Sequence, residues 1–204
     1  MKKLATILTA ILLTHHATAR ELAADEAAAL EKRFLSAQQK TRTLQADFRQ
    51  IITTPGLRDP AASAGRLLYL APDNLLVTYT DPAGDYLLLR GNKFIFRRAG
   101  KSTVRDASDP SARALAALRD ILRGTPAGSV MARSVTQSGN KYIVTLTPSA
   151  PGSNEPERIE NLLESSTLQL HSMTITLPRG TNLQFIFSGI RRNAVLDPQA
   201  FDLP

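Results

Sequence analysis

The sequence predicts a mainly β protein: one antiparallel sheet of about ten strands with two helices, curled because an open sheet of that size rarely stays flat. Three observations predict it. From Leu44 onward apolar residues recur with period two, in short runs separated by turn residues. Two other segments show three-and-four spacing instead. The chain has 204 residues, no low-complexity tract and no linker long enough to divide it, which suits one domain.

The elements follow in order. Lys2 and Lys3 precede an apolar stretch over residues 4–13, and Ala17-Thr18-Ala19 supplies small residues at the positions a signal peptidase reads. Residues 1–19 are therefore expected to be a secretory leader, leaving residues 20–204 as the exported domain. A membrane anchor would need roughly twenty apolar residues, and His15-His16 end the run sooner. Residues 21–40 predict the first helix, with Leu22, Ala29, Leu30, Phe34 and Ala37 as its buried stripe and Glu31, Lys32 and Gln38 facing water. Period two then sets in over 44–52, 65–70, 75–80, 86–90 and 93–98, joined by Ala71-Pro72-Asp73-Asn74, by 81–85 and by Gly91-Asn92. Links that short make neighbouring strands antiparallel. The second helix is capped by Ser108 or Asp109, carries Leu115, Leu118, Ile121 and Leu122 on one face, and stops at Gly124. Strands resume over 130–135, 141–147, 158–163, 167–177 and 181–189. Both helices can lie on the concave face of the curled sheet, as a lid.

Composition removes most chemistries. There is no cysteine, so disulfides, thiolate metal sites, cysteine nucleophiles and lipid attachment at cysteine are excluded. Of three histidines, two leave with the leader and His171 remains, mid-strand among apolar neighbours, with no nucleophile elbow in the chain. Glu155, Glu157, Glu160 and Glu164 read as a solvated face, and no spacing matches a calcium loop. Neither an enzyme site nor a cofactor or metal site is expected. The leader takes two of the 25 basic residues and none of the 18 acidic ones, so the net charge falls from +7 to +5. Such a surface suits an anionic partner or membrane, or simply solubility. Scattered basic residues in an exported chain argue against nucleic acid.

What stands out is apolar sequence on both sides of some strands: Leu67-Leu68-Tyr69-Leu70, Tyr86-Leu87-Leu88-Leu89, Phe94-Ile95-Phe96 and Leu183-Gln184-Phe185-Ile186-Phe187. Two readings remain open on pattern alone. One is an ordinary two-sided core. The other is a curved sheet whose concave face stays partly empty for a lipid.

The order of features resembles the outer-membrane lipoprotein carrier family (LolA-like periplasmic chaperones), over roughly residues 30–203. The first helix leads into Leu44-Gln45-Ala46-Asp47-Phe48-Arg49-Gln50, similar to the family's A-x-F-x-Q strand. Gly65-Arg66-Leu67-Leu68-Tyr69-Leu70-Ala71-Pro72 follows, then Tyr79 and Pro82. Gly91-Asn92-Lys93-Phe94-Ile95-Phe96 resembles the family's turn and strand, and Phe201-Asp202-Leu203-Pro204 its F-x-x-P ending. The resemblance implies an unclosed β-barrel with helices as a lid over an apolar cavity. It implies a monomeric carrier that accepts acylated lipoprotein or lipid cargo from an inner-membrane ABC-type releasing complex. The cargo then passes to an outer-membrane receptor lipoprotein, without covalent chemistry. The cavity wall is expected from Phe48, Tyr79, Leu88, Phe94, Phe96, Leu146, Phe185 and Phe187, with Leu30 and Phe34 from the lid. Two departures stand against it: Ala71 occupies the position of an arginine that latches the lid in the best-known branch, and Val77 that of a frequent tryptophan. Arg66 and Arg90 are candidate substitutes for that latch; without one, the lid closes by apolar contact alone. A specialised paralogue carrying another lipid, or a lipid-sensing domain of the same fold, is the alternative.

Overall fold

A computed structural model describes residues 19–125, 131–148 and 156–203. The expected leader, apart from Ala19, lies outside the described residues. In chain order the elements are β1 (Arg20–Glu21), α1 (Ala24–Gln39), β2 (Thr43–Thr53), β3 (Ala61–Leu70), β4 (Asn74–Asp81), β5 (Ala83–Arg90) and β6 (Lys93–Arg98). There follow β7 (Lys101–Asp106), α2 (Arg113–Arg123), β8 (Met131–Ser138), β9 (Lys141–Pro148), β10 (Arg158–Glu164), β11 (Leu170–Thr176) and β12 (Asn182–Arg192). The strands form one antiparallel 12-stranded sheet in the order β1-β8-β9-β10-β11-β12-β2-β3-β4-β5-β6-β7. Two meanders are thus joined where β12 meets β2, and the end strands β1 and β7 do not close the ring.

Two strands beyond the expected ten are β1 and β7. In β7 only Val104 is a large apolar residue, and it is 61% exposed. A strand with neither face buried has no alternation to read, and its lysine suits an unpaired edge. Strand β3 also starts earlier than Gly65, since the small residues Ala61 to Ala64 pair with β2 without a hydrophobic signal.

The face beneath the helices, called inner here, holds the larger core. Phe48, Leu67, Tyr69, Leu75, Val77, Leu89 and Phe94 pack there with Leu115, Leu118 and Leu122 of α2. The outer face carries a second core of Leu76, Tyr86, Leu88 and Ile95, covered by Phe201, Leu196 and Leu203 of the C-terminal segment. The two-sided apolar runs of β3 to β6 are therefore an ordinary core on each face.

Helix α1 begins where Glu26 accepts the Ala23 backbone N–H at 3.0 Å and pairs with Arg20 at 2.8 Å. Those bonds, from Arg20 foremost, hold the Glu26 carboxyl below its usual range. The stripe holds at Leu30 and Phe34, but Ala29 is exposed, while Glu31 is half-buried and Gln38 buried. Helix α2 is entered through a 3₁₀ turn, Pro110–Ala112. Asp109 accepts the Ser111 hydroxyl at 2.5 Å and backbone N–H at 2.8 Å, which lowers its carboxyl pKa to about 2. At the other end Gly124 adopts φ 71°, and a Cβ there would come within 2.9 Å of Gln38 Cβ. Glycine thus both stops α2 and lets α1 approach it. Among the described residues no helix is long and apolar enough to cross a membrane.

Candidate functional site

The two helices leave a cavity of about 260 Å³ between themselves and β8, β9 and β10. Strand alternation builds its floor. Val135 of β8, Val144 and Leu146 of β9, and Ile159, Asn161 and Leu163 of β10 face inward. Leu30 and Phe34 of α1 and Ile121 of α2 form the roof. Its charged groups are engaged: Glu31 pairs with Arg133, and Asp120 accepts from Arg119 at 3.1 Å. An apolar pocket with few polar groups holds hydrocarbon by burial rather than by directed bonds.

Of the expected wall residues, Leu30, Phe34 and Leu146 line this cavity. Phe48, Phe94, Phe185 and Phe187 sit on the inner face but are buried in its core, as are the half-buried Tyr79 and Phe96 that pack against it. The rings contact one another instead of an empty space. Phe48 meets Tyr79 edge-on at 5.5 Å and Phe185 at 6.0 Å, Phe94 stacks on Phe96 at 5.4 Å, and Phe185 on Phe187 at 6.3 Å. The Tyr79 hydroxyl donates to Gln50 at 3.1 Å, and burial pushes its pKa up to about 12. Leu88 lies on the other side of the sheet. It belongs to the outer core under Phe201, because β5 buries alternate residues on opposite sides and Leu87 and Leu89 hold the inner side.

Among the described residues none of the latch candidates makes a hydrogen bond to α1 or α2. Arg66 donates to Asp47 at 3.3 Å in an exposed pair on β3 and β2, away from either helix. Arg90 clamps the C-terminal segment, donating to the Phe201 carbonyl at 3.3 Å and to Asp202 at 3.1 Å. Ala71 is half-buried against the inner core and its backbone N–H donates to the Arg42 carbonyl at 2.9 Å. Two polar links of α2 run the other way, from helix to turn. Arg123 of α2 donates to Asp73 at 3.0 Å, two residues beyond Ala71, and Arg119 reaches the Gly91 carbonyl at 3.4 Å. Together with Glu31–Arg133 they fasten both helices, so apolar contact is not the sole closure.

Most residues that line this cavity were not among the expected wall. Strand β10 reads Ile159-Glu160-Asn161-Leu162-Leu163, and its alternation does place a polar residue at the centre of an apolar face. That signal was available. Glu31 was not, since one helical turn from Phe34 it looks like any solvated glutamate until Arg133 is seen opposite.

Among the described residues no group of three His, Asp or Glu side chains could hold a metal ion. The family model for outer membrane lipoprotein carrier protein LolA matches residues 39–204. No curated protein matches the chain in sequence. Among solved structures, a DUF1329 family protein from Desulfovibrio piger superposes with a TM-score of 0.54 at 14% identity, covering 87% of this chain and 96% of its own. A conserved protein from Thermus thermophilus gives 0.53 at 7% identity, with 88% and 94% covered. The complex of MucA and MucB from Pseudomonas aeruginosa gives 0.51 at 13% identity, covering 88% of this chain and 61% of that one. At these identities the likeness is one of fold.

Proposed function

The chain belongs to the outer membrane lipoprotein carrier protein LolA family, and from that premise we propose that it is a periplasmic chaperone for acylated cargo. It takes an acyl chain of a lipoprotein, or of a related lipid, into the cavity between α1, α2 and β8 to β10. It receives the cargo from an inner-membrane ABC-type releasing complex and yields it to an outer-membrane receptor lipoprotein, acting as a monomer and without covalent chemistry or a cofactor. The observation that carries this reading is an apolar cavity roofed by helices whose polar fastenings are few and partly solvent-exposed.

Magnitudes agree with a shuttle. A cavity of about 150 Å³ accepts benzene, so the roughly 260 Å³ here takes about ten carbons of one chain. Burying each methylene contributes about 0.8 kcal/mol, or about 8 kcal/mol gross for that length. Longer or additional chains require the roof to move. Arg123 and Asp73 are 49% and 35% exposed, and a pair that open to solvent contributes at most about 1 kcal/mol. This pair therefore adds little to the cost of moving the roof.

The test is uptake of a fluorescent fatty-acid probe. The wild type should bind it saturably, and Arg123→Ala should load it several-fold faster with little change in thermal stability. Arg90→Ala, which frees only the C-terminal segment, should leave loading unchanged. Absence of saturable binding, or faster loading in Arg90→Ala but not Arg123→Ala, contradicts the assignment of the roof.

A further inference from the structure

We propose that the cavity selects acyl chains bearing a hydrogen-bond donor, a hydroxyl or an amide N–H, and that Asn161 is the residue that reads it; this rests on the carrier reading above.

Asn161 sits at the middle of β10 on the inner face, between Ile159 and Leu163, and all three line the cavity. It is 4% exposed, and its side-chain oxygen is buried without a hydrogen-bond partner among the described residues. Buried carbonyl oxygens in folded proteins are almost always paired, and one that is not destabilises the fold. Among the described residues none donates to it. Its cross-strand neighbours are Val144 on β9 and Met173 on β11. The charged groups of the cavity are engaged with other residues, Glu31 with Arg133 and Asp120 with Arg119.

A second buried amide on the same row provides the contrast. From Asn161 the row continues through Met173 and Phe185 to Gln50 on β2. The Gln50 oxygen accepts the Ser63 hydroxyl and the Tyr79 hydroxyl, each at 3.1 Å. Gln50 is thus a satisfied structural amide in solid core. Asn161 has the same chemistry and no partner, and it faces the space where cargo lies. The terminal torsion of asparagine is broad, so its oxygen can turn toward a donor on the bound chain. A bare hydrocarbon leaves this oxygen unpaired, and an ester carbonyl can only accept from the Asn161 amide N–H, whereas a hydroxyl or amide N–H on the chain supplies the missing bond.

The experiment compares three uncharged myristoyl probes on the wild type: methyl myristate, methyl β-hydroxymyristate and N-methylmyristamide. At least one donor-bearing probe should bind about tenfold tighter than the plain ester. Whichever does so distinguishes a hydroxylated lipid from an amide-linked acyl group. In Asn161→Leu the three should bind alike, and the variant should unfold at or above the wild-type temperature because an unpaired polar group is gone. Equal binding of all three to the wild type overturns the selectivity and leaves the carrier reading standing. Binding of none overturns the carrier reading itself. Should the leucine variant fail to fold, the wild-type ranking still decides, since it needs no variant.

Discussion

Val144→Trp is expected to weaken acyl-chain binding by at least a hundredfold while the sheet stays folded. Val144 is half-buried on the floor of the cavity, with Val135 and Asn161 as its cross-strand neighbours. An indole exceeds benzene in size, and benzene occupies a cavity of about 150 Å³, so it would fill more than half of the roughly 260 Å³ present. Excluding about six carbons of cargo forfeits on the order of 5 kcal/mol of burial at about 0.8 kcal/mol per methylene. Even if relaxation of the roof recovers half of that, the loss is near a hundredfold. The contrast is Leu88→Ala. Leu88 is fully buried in the outer core, so its truncation should cost about 2–5 kcal/mol of stability. The folded fraction should bind the chain as the wild type does. Probe titration beside thermal unfolding separates the two. An unchanged affinity in Val144→Trp would show that cargo lies elsewhere on the inner face.

Gly65→Ala should be the most damaging small substitution in the sheet, lowering stability by about 4 kcal/mol and the unfolding midpoint by on the order of 10 °C. A Cβ at Gly65 would stand 2.0 Å from the Thr78 carbonyl oxygen and 2.9 Å from the Phe48 ring. The obstacle is backbone of the paired strand β4, next to a register irregularity between Ala64 and Gly65, so no rotamer change relieves it. The absent side chain is what lets Phe48 lie across β3 and meet Tyr79. Calorimetry on the alanine variant measures the loss. A midpoint within a few degrees of wild type would mean that β3 and β4 shift apart freely here.

Much of this architecture was legible because burial and period coincide. The α2 stripe of Leu115, Leu118 and Leu122 is read directly from spacing, and all three are buried. The meander from β2 to β6 is read from turn residues between alternating runs. Legibility failed where one element serves two surroundings. In β5, Leu87, Leu88 and Leu89 are all apolar, since the helices cover one face and the C-terminal segment the other. Nothing in that run says which leucine faces inward. The same ambiguity drew attention to the aromatic strands, which form packed core, and away from β8 to β10, where valines and isoleucines border space. Gln38 illustrates the opposite error. It is 2% exposed, because α2 ends at Gly124 directly against it, a tertiary approach that helical spacing cannot contain. The helix arginines Arg119 and Arg123 reach back to the turns, a tertiary contact that strand alternation does not contain.

The most direct measurement is native purification of the protein from its own cells, followed by mass spectrometry of whatever remains bound. An acylated species, lipoprotein or lipid, is expected in near-stoichiometric amount, and is expected to be lost in Val144→Trp. Protein that emerges empty from membranes rich in acylated lipids, or that carries the same acyl species in Val144→Trp as in the wild type, would contradict it.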